Sequence, residues 1–192
     1  MQTAQVAIED NRFFSHGAID LKGTARALAT NIAGSARQGG STLTQQYVKQ
    51  IRIEAAVAAG NEEGVQAAQE PTITRKIQEL RYAVAMEKKL SKKQILERYL
   101  NIAYFGDGAY GVESAAHHYF GTTAANLDLA QSAMLAGLVQ NPVAYDPVNH
   151  PEAAMNRRNI VLARMAQLNL ISADQARKAE ATVFDKSKVF SP

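Results

Sequence analysis

Residues 8–16 place acidic, basic, aromatic and imidazole side chains next to one another. Their letters are I-E-D-N-R-F-F-S-H, so Glu9 and Asp10 follow an apolar run and precede Phe13 and Phe14. A carboxylate beside apolar and aromatic groups is partly desolvated, which disfavours its charged form and makes it a better proton acceptor. The segment fits a general base at Glu9, and an amphipathic helix with a solvated polar face remains the alternative interpretation.

A second stretch, G-G-S-T-L-T-Q-Q-Y-V-K over residues 39–49, has the composition of an anion site. Its two glycines let the backbone approach a ligand closely, and Ser41 or Thr42 can cap the helix that follows. Three polar side chains recur at helical spacing and so line one side of this helix: Gln45, Gln46 and Lys49. The pattern favours binding of phosphate and sugar hydroxyls, although the spacing of a nucleotide P-loop is missing and an ordinary capped helix would look the same.

Glu79 is a second candidate carboxylate in a different setting. Arg75 precedes it by four residues and Lys76 by three, so on a helix both cations lie beside it and hold it ionised. Two carboxylates with different surroundings can take different roles in one reaction. The alternative is a set of surface salt bridges.

The elements that must position these residues are predicted to be helices. Residues 73–101 carry an apolar face at helical spacing: Ile73, Ile77, Leu80 and Val84. Four lysines (Lys88, Lys89, Lys92 and Lys93) are expected to form a solvated surface around a helix break. The sequence Ser91-x-x-Gln94 is a capping box that opens the next helix.

Other segments complete a mostly α pattern without strand-like alternation. Residues 21–32 predict a helix against the core or a membrane, and residues 53–72 a mobile excursion with at most one weak helix. Residues 104–111 form a glycine- and aromatic-rich loop, suited to passing closely under a sugar or to a tight turn. Further helices are predicted over 112–120 and 127–140, from Pro151, and after the capping box Ser172-x-x-Gln175.

The composition bounds the class of protein. The 192 residues are 46% hydrophobic with a net charge of +3, which fits one globular domain with a real core, or one domain and a small lobe. Basic and acidic residues are interleaved, so nucleic acid is not an expected partner. The chain has no cysteine, which excludes disulfides and thiolate chemistry. No metal site is expected, because His117-His118 lacks a second cluster with ligand spacing.

Five segments in this order resemble the peptidoglycan glycosyltransferases, which occur as single-function enzymes and as the first catalytic domain of class A penicillin-binding proteins. The resemblance covers roughly residues 3–169. The segments are EDNRFFSH, GGSTLTQQYVK, RKIQELRYAVAMEKKLSKKQILERYLN, YFGDGAYGVESAAHHYFG and AQSAMLAGLVQNPVAYDP.

The resemblance implies a mostly α fold, with a lysozyme-like helical head lobe and a smaller hydrophobic, membrane-facing jaw lobe. The chain would be one such domain, with about residues 17–72 forming the jaw or a mobile region and residues 21–36 inside the jaw. It would be a fragment of a longer membrane-anchored protein, working on the outer face of the cytoplasmic membrane. The implied partners are lipid II, the growing lipid-linked glycan, the membrane surface and other cell-wall synthesis proteins.

The resemblance also implies roles for matching positions. Glu9 would take the proton from the sugar 4-hydroxyl of lipid II, whose oxygen displaces polyprenyl diphosphate with inversion to a β-1,4 link. Glu79 would be the second catalytic carboxylate. Lys49, Arg75 and Lys76 would stabilise the departing diphosphate. Eight residues would line the cleft: Asp10, Arg12, Phe13, His16, Ser41, Thr42, Gln45 and Gln46. No cofactor is implied beyond a divalent cation, Mg or Mn, which assists the diphosphate in some relatives. This sequence shows no dedicated protein cage for such an ion.

The sequence departs from the family pattern in three places. Gly17 follows His16 directly, where relatives more often have one intervening residue. The excursion over residues 53–72 lengthens the separation of the two carboxylates. Pro71 stands where many relatives have an arginine near the diphosphate, a part that Arg52 could take. No Ser-x-x-Lys motif of a transpeptidase occurs in the chain.

Two other functions fit parts of the same pattern. A lysozyme-like enzyme that cleaves glycan would share the α fold and the catalytic Glu9, but would not need the cations Lys49, Arg75 and Lys76, because its leaving group carries no diphosphate. A non-catalytic helical module that binds membrane or cell-wall precursors would use Glu9 and Glu79 only structurally.

Overall fold

The computed structural model describes residues 1–20 and 40–190, and these residues are mostly helical, which confirms the predicted fold class. The segment over residues 21–36, expected to belong to a jaw, lies outside the described residues. Within them the β pairing is confined to an isolated antiparallel bridge between Tyr104 and Tyr110. The α-helices are α1 (Gln2–Glu9), α2 (Leu43–Ala58), α3 (Glu62–Gln69), α4 (Ile73–Glu87), α5 (Lys92–Ile102), α6 (Val112–Phe120), α7 (Leu129–Leu138), α8 (Pro151–Gln167) and α9 (Ala173–Glu180).

The chain forms two compact units, and the division between them falls inside α5. One unit comprises Met1–Asn11 with Leu100–Pro192, and the other comprises Arg12–Tyr99. In the first unit, α1 packs against α7 and α8, and α9 against α8. Its core consists mainly of small side chains on α1 and α7 and larger ones on α8: Ala4, Ala7, Ala133, Ala136, Val161, Leu162 and Met165. Alanines at these contacts let the helix backbones approach closely, which fixes the end of α1 where Glu9 lies.

Predicted capping boxes begin two of the helices. The Ser91 amide donates to Gln94 Oε1 at 2.9 Å and the Gln94 amide to Ser91 Oγ at 3.3 Å, so α5 begins as its sequence predicted. Ser172 and Gln175 make the same reciprocal pair at the start of α9. A third capping box, Asp128 with Gln131 before α7, escaped the sequence analysis.

The glycine- and aromatic-rich loop over residues 104–111 is a tight turn. The Phe105 amide donates to the Ala109 carbonyl at 2.9 Å, and the Gly111 amide to the Ala103 carbonyl at 2.9 Å. Gly111 has φ of +82°, and a Cβ there would lie 2.5 Å from the Asn101 carbonyl oxygen. Only glycine fits this position, because both the backbone angle and the space exclude a side chain.

The second unit is organised by α2, α3 and α4. Helix α2 packs against both of the others, and Ala18, Val48 and Ala83 form a small buried cluster. Helix α4 has the predicted periodicity, but its apolar face is largely exposed: Ile73 is 80% exposed and Ile77 53%. The buried side of the helix instead carries Ala83 and the carboxylate of Glu79.

Residues 53–72, predicted as a mobile excursion with at most one weak helix, contain more helix than that prediction allowed. Helix α2 continues to Ala58 and α3 occupies Glu62–Gln69, so most of the segment is helical. Alanine and glutamate have high helix propensity, and Asn61 caps α3 by accepting the Gly64 amide at 2.9 Å. The segment packs through small residues, among them Ala68, which is 2% exposed.

The predicted solvated lysine surface holds for three of its four members. Lys88, Lys89 and Lys93 are exposed, whereas Lys92 is not. Its ammonium forms an ion pair with Glu87 at 2.6 Å and lies 4.4 Å from the centroid of the Phe13 ring. Lys92 therefore belongs to the packing of the second unit, because its charge is paired with Glu87 and its ammonium lies over the Phe13 ring.

Across residues 1–20 and 40–190, none of the helices combines the length and the apolar character required to cross a bilayer.

Candidate functional site

Glu79 is the centre of a buried ionic cluster in the second unit. Its side chain is 4% exposed, and each carboxylate oxygen meets a different cation. Arg75 Nη1 donates to Oε2 at 2.6 Å, and Lys76 Nζ donates to Oε1 at 2.6 Å. Both cations come from the preceding turn of α4, which is the spacing the sequence indicated. Because the carboxylate is buried, the alternative of a set of surface salt bridges does not describe this cluster.

Lys76 connects this cluster to the beginning of α2. Its ammonium donates to Ser41 Oγ at 2.8 Å and to Gln45 Oε1 at 2.8 Å, in addition to Glu79. A lysine ammonium has three protons, and these three acceptors match them. The structure thus brings together five of the predicted site residues: Ser41, Gln45, Arg75, Lys76 and Glu79. The cluster has two cations and one anion, so it keeps one net positive charge.

Residues at the beginning of α2 are fixed by hydrogen bonds to the backbone. Thr42 Oγ1 accepts the Gln45 amide at 3.3 Å and donates to the Ala18 carbonyl at 3.1 Å. Gln45 Nε2 donates to the same carbonyl at 2.8 Å. Gln46 accepts a hydrogen bond from the Tyr99 hydroxyl at 2.9 Å, and the half-buried Lys49 lies one turn beyond Gln45. Thr42 is therefore the cap that the sequence predicted.

The predicted site residues that follow Glu9 and Asp10 fall in the second unit. Arg12 forms an ion pair with Asp20. Phe13 is fully buried, so its ring could affect a bound ligand only by positioning the residues that contact that ligand. His16 Nδ1 lies 2.6 Å from the Gly17 carbonyl oxygen. Since a carbonyl only accepts, Nδ1 carries a proton in this contact.

Glu9 ends α1 in the first unit and faces an arginine that the sequence analysis missed. Its side chain is 15% exposed, and Oε1 lies 3.9 Å from Arg157 Nη2, whose side chain is 11% exposed. Asp10, the next residue, is 8% exposed. The adjacent pair Arg157 and Arg158 could have indicated this contact, because the other interior positions of the helix are apolar. Basic residues beside a core usually have specific partners.

Arg158 has a different role from its neighbour. It is 2% exposed, and Nη2 donates to the Glu180 carbonyl at 2.8 Å while Nη1 donates to the Thr182 carbonyl. The guanidinium therefore satisfies carbonyls at the end of α9. Burial lowers the pKa of Arg158, an effect that Glu180 and Asp128 oppose.

Tyr119 is hydrogen-bonded to the glycine- and aromatic-rich loop over residues 104–111. Its ring is fully buried, and its hydroxyl donates to the Phe105 carbonyl at 3.1 Å. Burial raises the pKa of Tyr119, and the nearby Asp146 and Asp107 raise it further. The phenol stays protonated and serves as a donor in the fold.

The adjacent histidines point to separate partners. His117 Nε2 lies 3.2 Å from Glu113 Oε1. The His118 ring lies between the Phe190 carbonyl at 2.6 Å from Nδ1 and Asp107 Oδ2 at 2.9 Å from Nε2. The partners of His117 and those of His118 have no residue in common.

Comparison with known proteins places these features in a family. A family model described as Transglycosylase matches residues 1–166. Penicillin-binding protein 1A of Streptococcus pneumoniae is 42% identical over 179 residues, which is 93% of this chain and 23% of the relative. Penicillin-binding protein 1A of Aquifex aeolicus is 42% identical over 177 residues, covering 92% of this chain and 22% of the relative.

Two further penicillin-binding proteins are similar to this chain in sequence. Penicillin-binding protein 1A/1B of Bacillus subtilis is 38% identical over 193 residues, covering 100% of this chain and 20% of the relative. A crystal structure of penicillin-binding protein 1A from Haemophilus influenzae matches with 35% identity and a TM-score of 0.48, covering 53% of this chain and 15% of that one. The chain thus spans about a quarter or less of the length of these relatives. The family match over residues 1–166 shows that this chain belongs to the transglycosylase family of enzymes, as its five motifs indicated.

Proposed function

We propose that this chain polymerises lipid II into β-1,4-linked glycan strands and releases polyprenyl diphosphate. The observation that supports the proposal most strongly is the buried cluster of Glu79, Arg75 and Lys76, with cation–carboxylate distances of 2.6 Å. Because the carboxylate fixes both cations, a positive charge is in place before a substrate arrives. Preorganised charge of this kind stabilises a leaving group that becomes more anionic as its bond breaks.

Glu9 is the general base in this proposal. Its carboxylate takes the proton of the sugar 4-hydroxyl, and that oxygen forms a bond to the anomeric carbon of the growing chain. The bond from this carbon to the diphosphate oxygen breaks on the opposite face, which inverts the configuration. Only 15% of the Glu9 side chain is exposed, so bulk water competes weakly with the sugar hydroxyl for the carboxylate.

The second carboxylate has a different task. Glu79 accepts hydrogen bonds from two cations, so it positions Arg75 and Lys76 rather than taking a proton. Lys49, one turn beyond Gln45 on α2, supplies a further cation for the diphosphate. The remaining predicted residues provide carboxylate, guanidinium, imidazole, hydroxyl and amide groups for the sugars and phosphates: Asp10, Arg12, His16, Ser41, Thr42, Gln45 and Gln46.

The proposal extends to where the enzyme works. Lipid II and the growing glycan both carry a polyprenyl chain, so the substrates remain in a membrane. We propose that the domain acts on the outer face of the cytoplasmic membrane, with other cell-wall synthesis proteins as partners. The relatives named penicillin-binding protein support this assignment, because their names place them among proteins of cell-wall synthesis.

The direct test is incubation of the purified chain with labelled lipid II in detergent, with and without Mg or Mn, followed by electrophoresis of the product. We expect a ladder of glycan strands. Glu9→Gln keeps the size of the side chain but removes its basicity, so polymer formation should fall by at least about a hundredfold. Circular dichroism on the same samples checks that this variant is folded.

Lysine replacements test the role of the cationic cluster. Lys76→Gln should lower the rate of polymerisation, whereas Lys93→Gln, which makes the same change at an exposed site, should leave it unchanged. Equal rates for both would remove Lys76 from the mechanism.

Shortening of preformed glycan would identify a lysozyme-like cleaving enzyme, and binding of lipid II without conversion would identify a non-catalytic module. Normal polymer from Glu9→Gln would exclude Glu9 as the base.

A further inference from the structure

Arg157 is the cation that faces Glu9 across the contact between α1 and α8. The distance between Arg157 Nη2 and Glu9 Oε1 is 3.9 Å, and the two side chains are 11% and 15% exposed. A separation of 3.9 Å is too long for a hydrogen bond but short for two opposite charges shielded from water. Arg157 therefore acts on Glu9 through charge.

The orientation of Arg157 is fixed by groups other than Glu9. Arg157 Nε donates to the Gly137 carbonyl at 3.4 Å, and the guanidinium carbon lies 5.8 Å from the centroid of the Tyr145 ring. Gly137 leaves room for this side chain, because a Cβ there would lie 2.9 Å from Arg157 Cγ. A side chain in contact with both Gly137 and Tyr145 keeps its charge in place when the carboxylate changes protonation state.

Among the described residues, the helices that pack against α1 carry few charged side chains. Helix α1 has no second charged side chain, and α7, which packs against it, has none. On α8, Arg158 is directed to carbonyls at the end of α9, Arg164 donates to Gln167, and Glu152 lies in the first turn. Asp10 follows Glu9 directly and is itself acidic. Arg157 is thus the cation on α8 that meets this carboxylate.

We propose that Arg157 is a positioning residue for the general base, an inference that rests on the proposed function. A carboxylate this buried would favour its protonated form, and in that form it could not accept the proton of the sugar hydroxyl. The charge of Arg157 opposes this effect and keeps Glu9 ionised between turnovers. During the reaction the hydroxyl proton moves to Glu9, while Arg157 keeps its protons and touches no substrate.

The test follows the ionisation of Glu9 directly. Glutamates of the full chain are labelled with ¹³C at the side-chain carboxyl, and their NMR signals are recorded against pH. The Glu9 signal is assigned by its loss in Glu9→Gln. In Arg157→Gln we expect the midpoint of the Glu9 titration to rise by about one pH unit or more, because an opposite charge at this distance has been removed. Arg157→Lys should keep most of the wild-type value.

Arg164→Gln is the matched control, since it removes the same charge from the same helix about two turns away. Its Glu9 midpoint should equal that of the wild type. In polymerisation of lipid II, Arg157→Gln should have a lower kcat than the wild type and a KM within about twofold of the wild-type value. The acid limb of its pH–rate profile should move to higher pH. On that limb the rate should fall about tenfold for each pH unit of the shift. A residue with only a packing role would lower the melting temperature and leave the midpoint unchanged.

The outcomes separate this inference from the proposed function. An unmoved Glu9 midpoint in folded Arg157→Gln overturns the role of Arg157, whatever the enzyme polymerises. If the Glu9 midpoint rises in Arg157→Gln but the wild-type chain makes no polymer, the charge pair is supported and the proposed function is excluded. If Arg157→Gln does not fold, Gly137→Ala replaces it, because the added carbon must displace the Arg157 side chain. The midpoint should again rise, and an unchanged value overturns the inference.

Discussion

Replacing Glu79 by glutamine removes the charge shared by Arg75 and Lys76 while leaving the shape of the side chain almost unchanged. Breaking a fully buried ion pair costs about 3–5 kcal/mol, and breaking an exposed one costs about 1 kcal/mol or less. Glu79 is 4% exposed, but Arg75 is 16% and Lys76 35% exposed, so water partly replaces the lost partner. Lys76 also keeps Ser41 as an acceptor.

These exposures place the expected loss between the two limits, at about 2–3 kcal/mol of unfolding free energy. For a chain of this length that corresponds to a melting temperature lower by about 5–10 °C. Urea unfolding at neutral pH, followed by circular dichroism, measures the difference. Glu97→Gln makes the same change at an exposed position of α5 and should alter stability by less than about 0.5 kcal/mol.

A double-mutant cycle tests whether the effect comes from the pairing itself. Lys76→Gln leaves Glu79 with Arg75 as its remaining cation in this cluster, and Glu79→Gln leaves both cations without the carboxylate. In the double variant, Arg75 is the charge that remains from the cluster. We expect the double variant to be more stable than the sum of the single losses predicts, by about 1 kcal/mol or more. Strict additivity, or a Glu79→Gln variant as stable as Glu97→Gln, would refute the assignment of a structural charge pair at this cluster.

Two further variants probe the first unit by the same unfolding measurement. Gly111→Ala should cost about 3 kcal/mol or more, because φ is +82° and the new carbon would lie 2.5 Å from the Asn101 carbonyl oxygen; a loss below about 1 kcal/mol would show that the loop adapts. Arg158→Lys keeps the charge but replaces the planar fork by a single nitrogen, which cannot occupy both positions from which Nη1 and Nη2 donate to the Thr182 and Glu180 carbonyls. We therefore expect a loss of about 1–3 kcal/mol, and wild-type stability would contradict this account of the fork.

Local patterns predicted most of the helices and several of their ends. The reciprocal pairs Ser91 with Gln94 and Ser172 with Gln175 involve residues three positions apart, so the sequence already contains both partners. The cationic neighbours of Glu79 were predicted for the same reason, since Arg75 and Lys76 lie on the preceding turn. Interactions within one or two helical turns depend on spacing alone.

Burial and long-range partners could not be predicted in this way. The spacing of α4 indicated an apolar face, but which face is buried depends on α2 and the residues before it, where Gln45 and Ser41 accept hydrogen bonds from Lys76. The partnership of Glu9 and Arg157 joins positions far apart in the chain and depends on space left by Gly137. A single sequence does not record such contacts, because they arise only when the helices pack.

The threefold hydrogen bonding of Lys76 has a consequence for any phosphate that reaches it. Every ammonium proton already has an acceptor, so direct binding is an exchange in which an oxygen of the ligand takes the place of an existing one. Ser41 offers the easiest exchange, since its neutral hydroxyl holds the ammonium less strongly than a carboxylate and can rotate to donate to the same phosphate. Selectivity would then favour ligands with enough negative charge to displace a hydroxyl, and a neutral sugar would leave this lysine as it is.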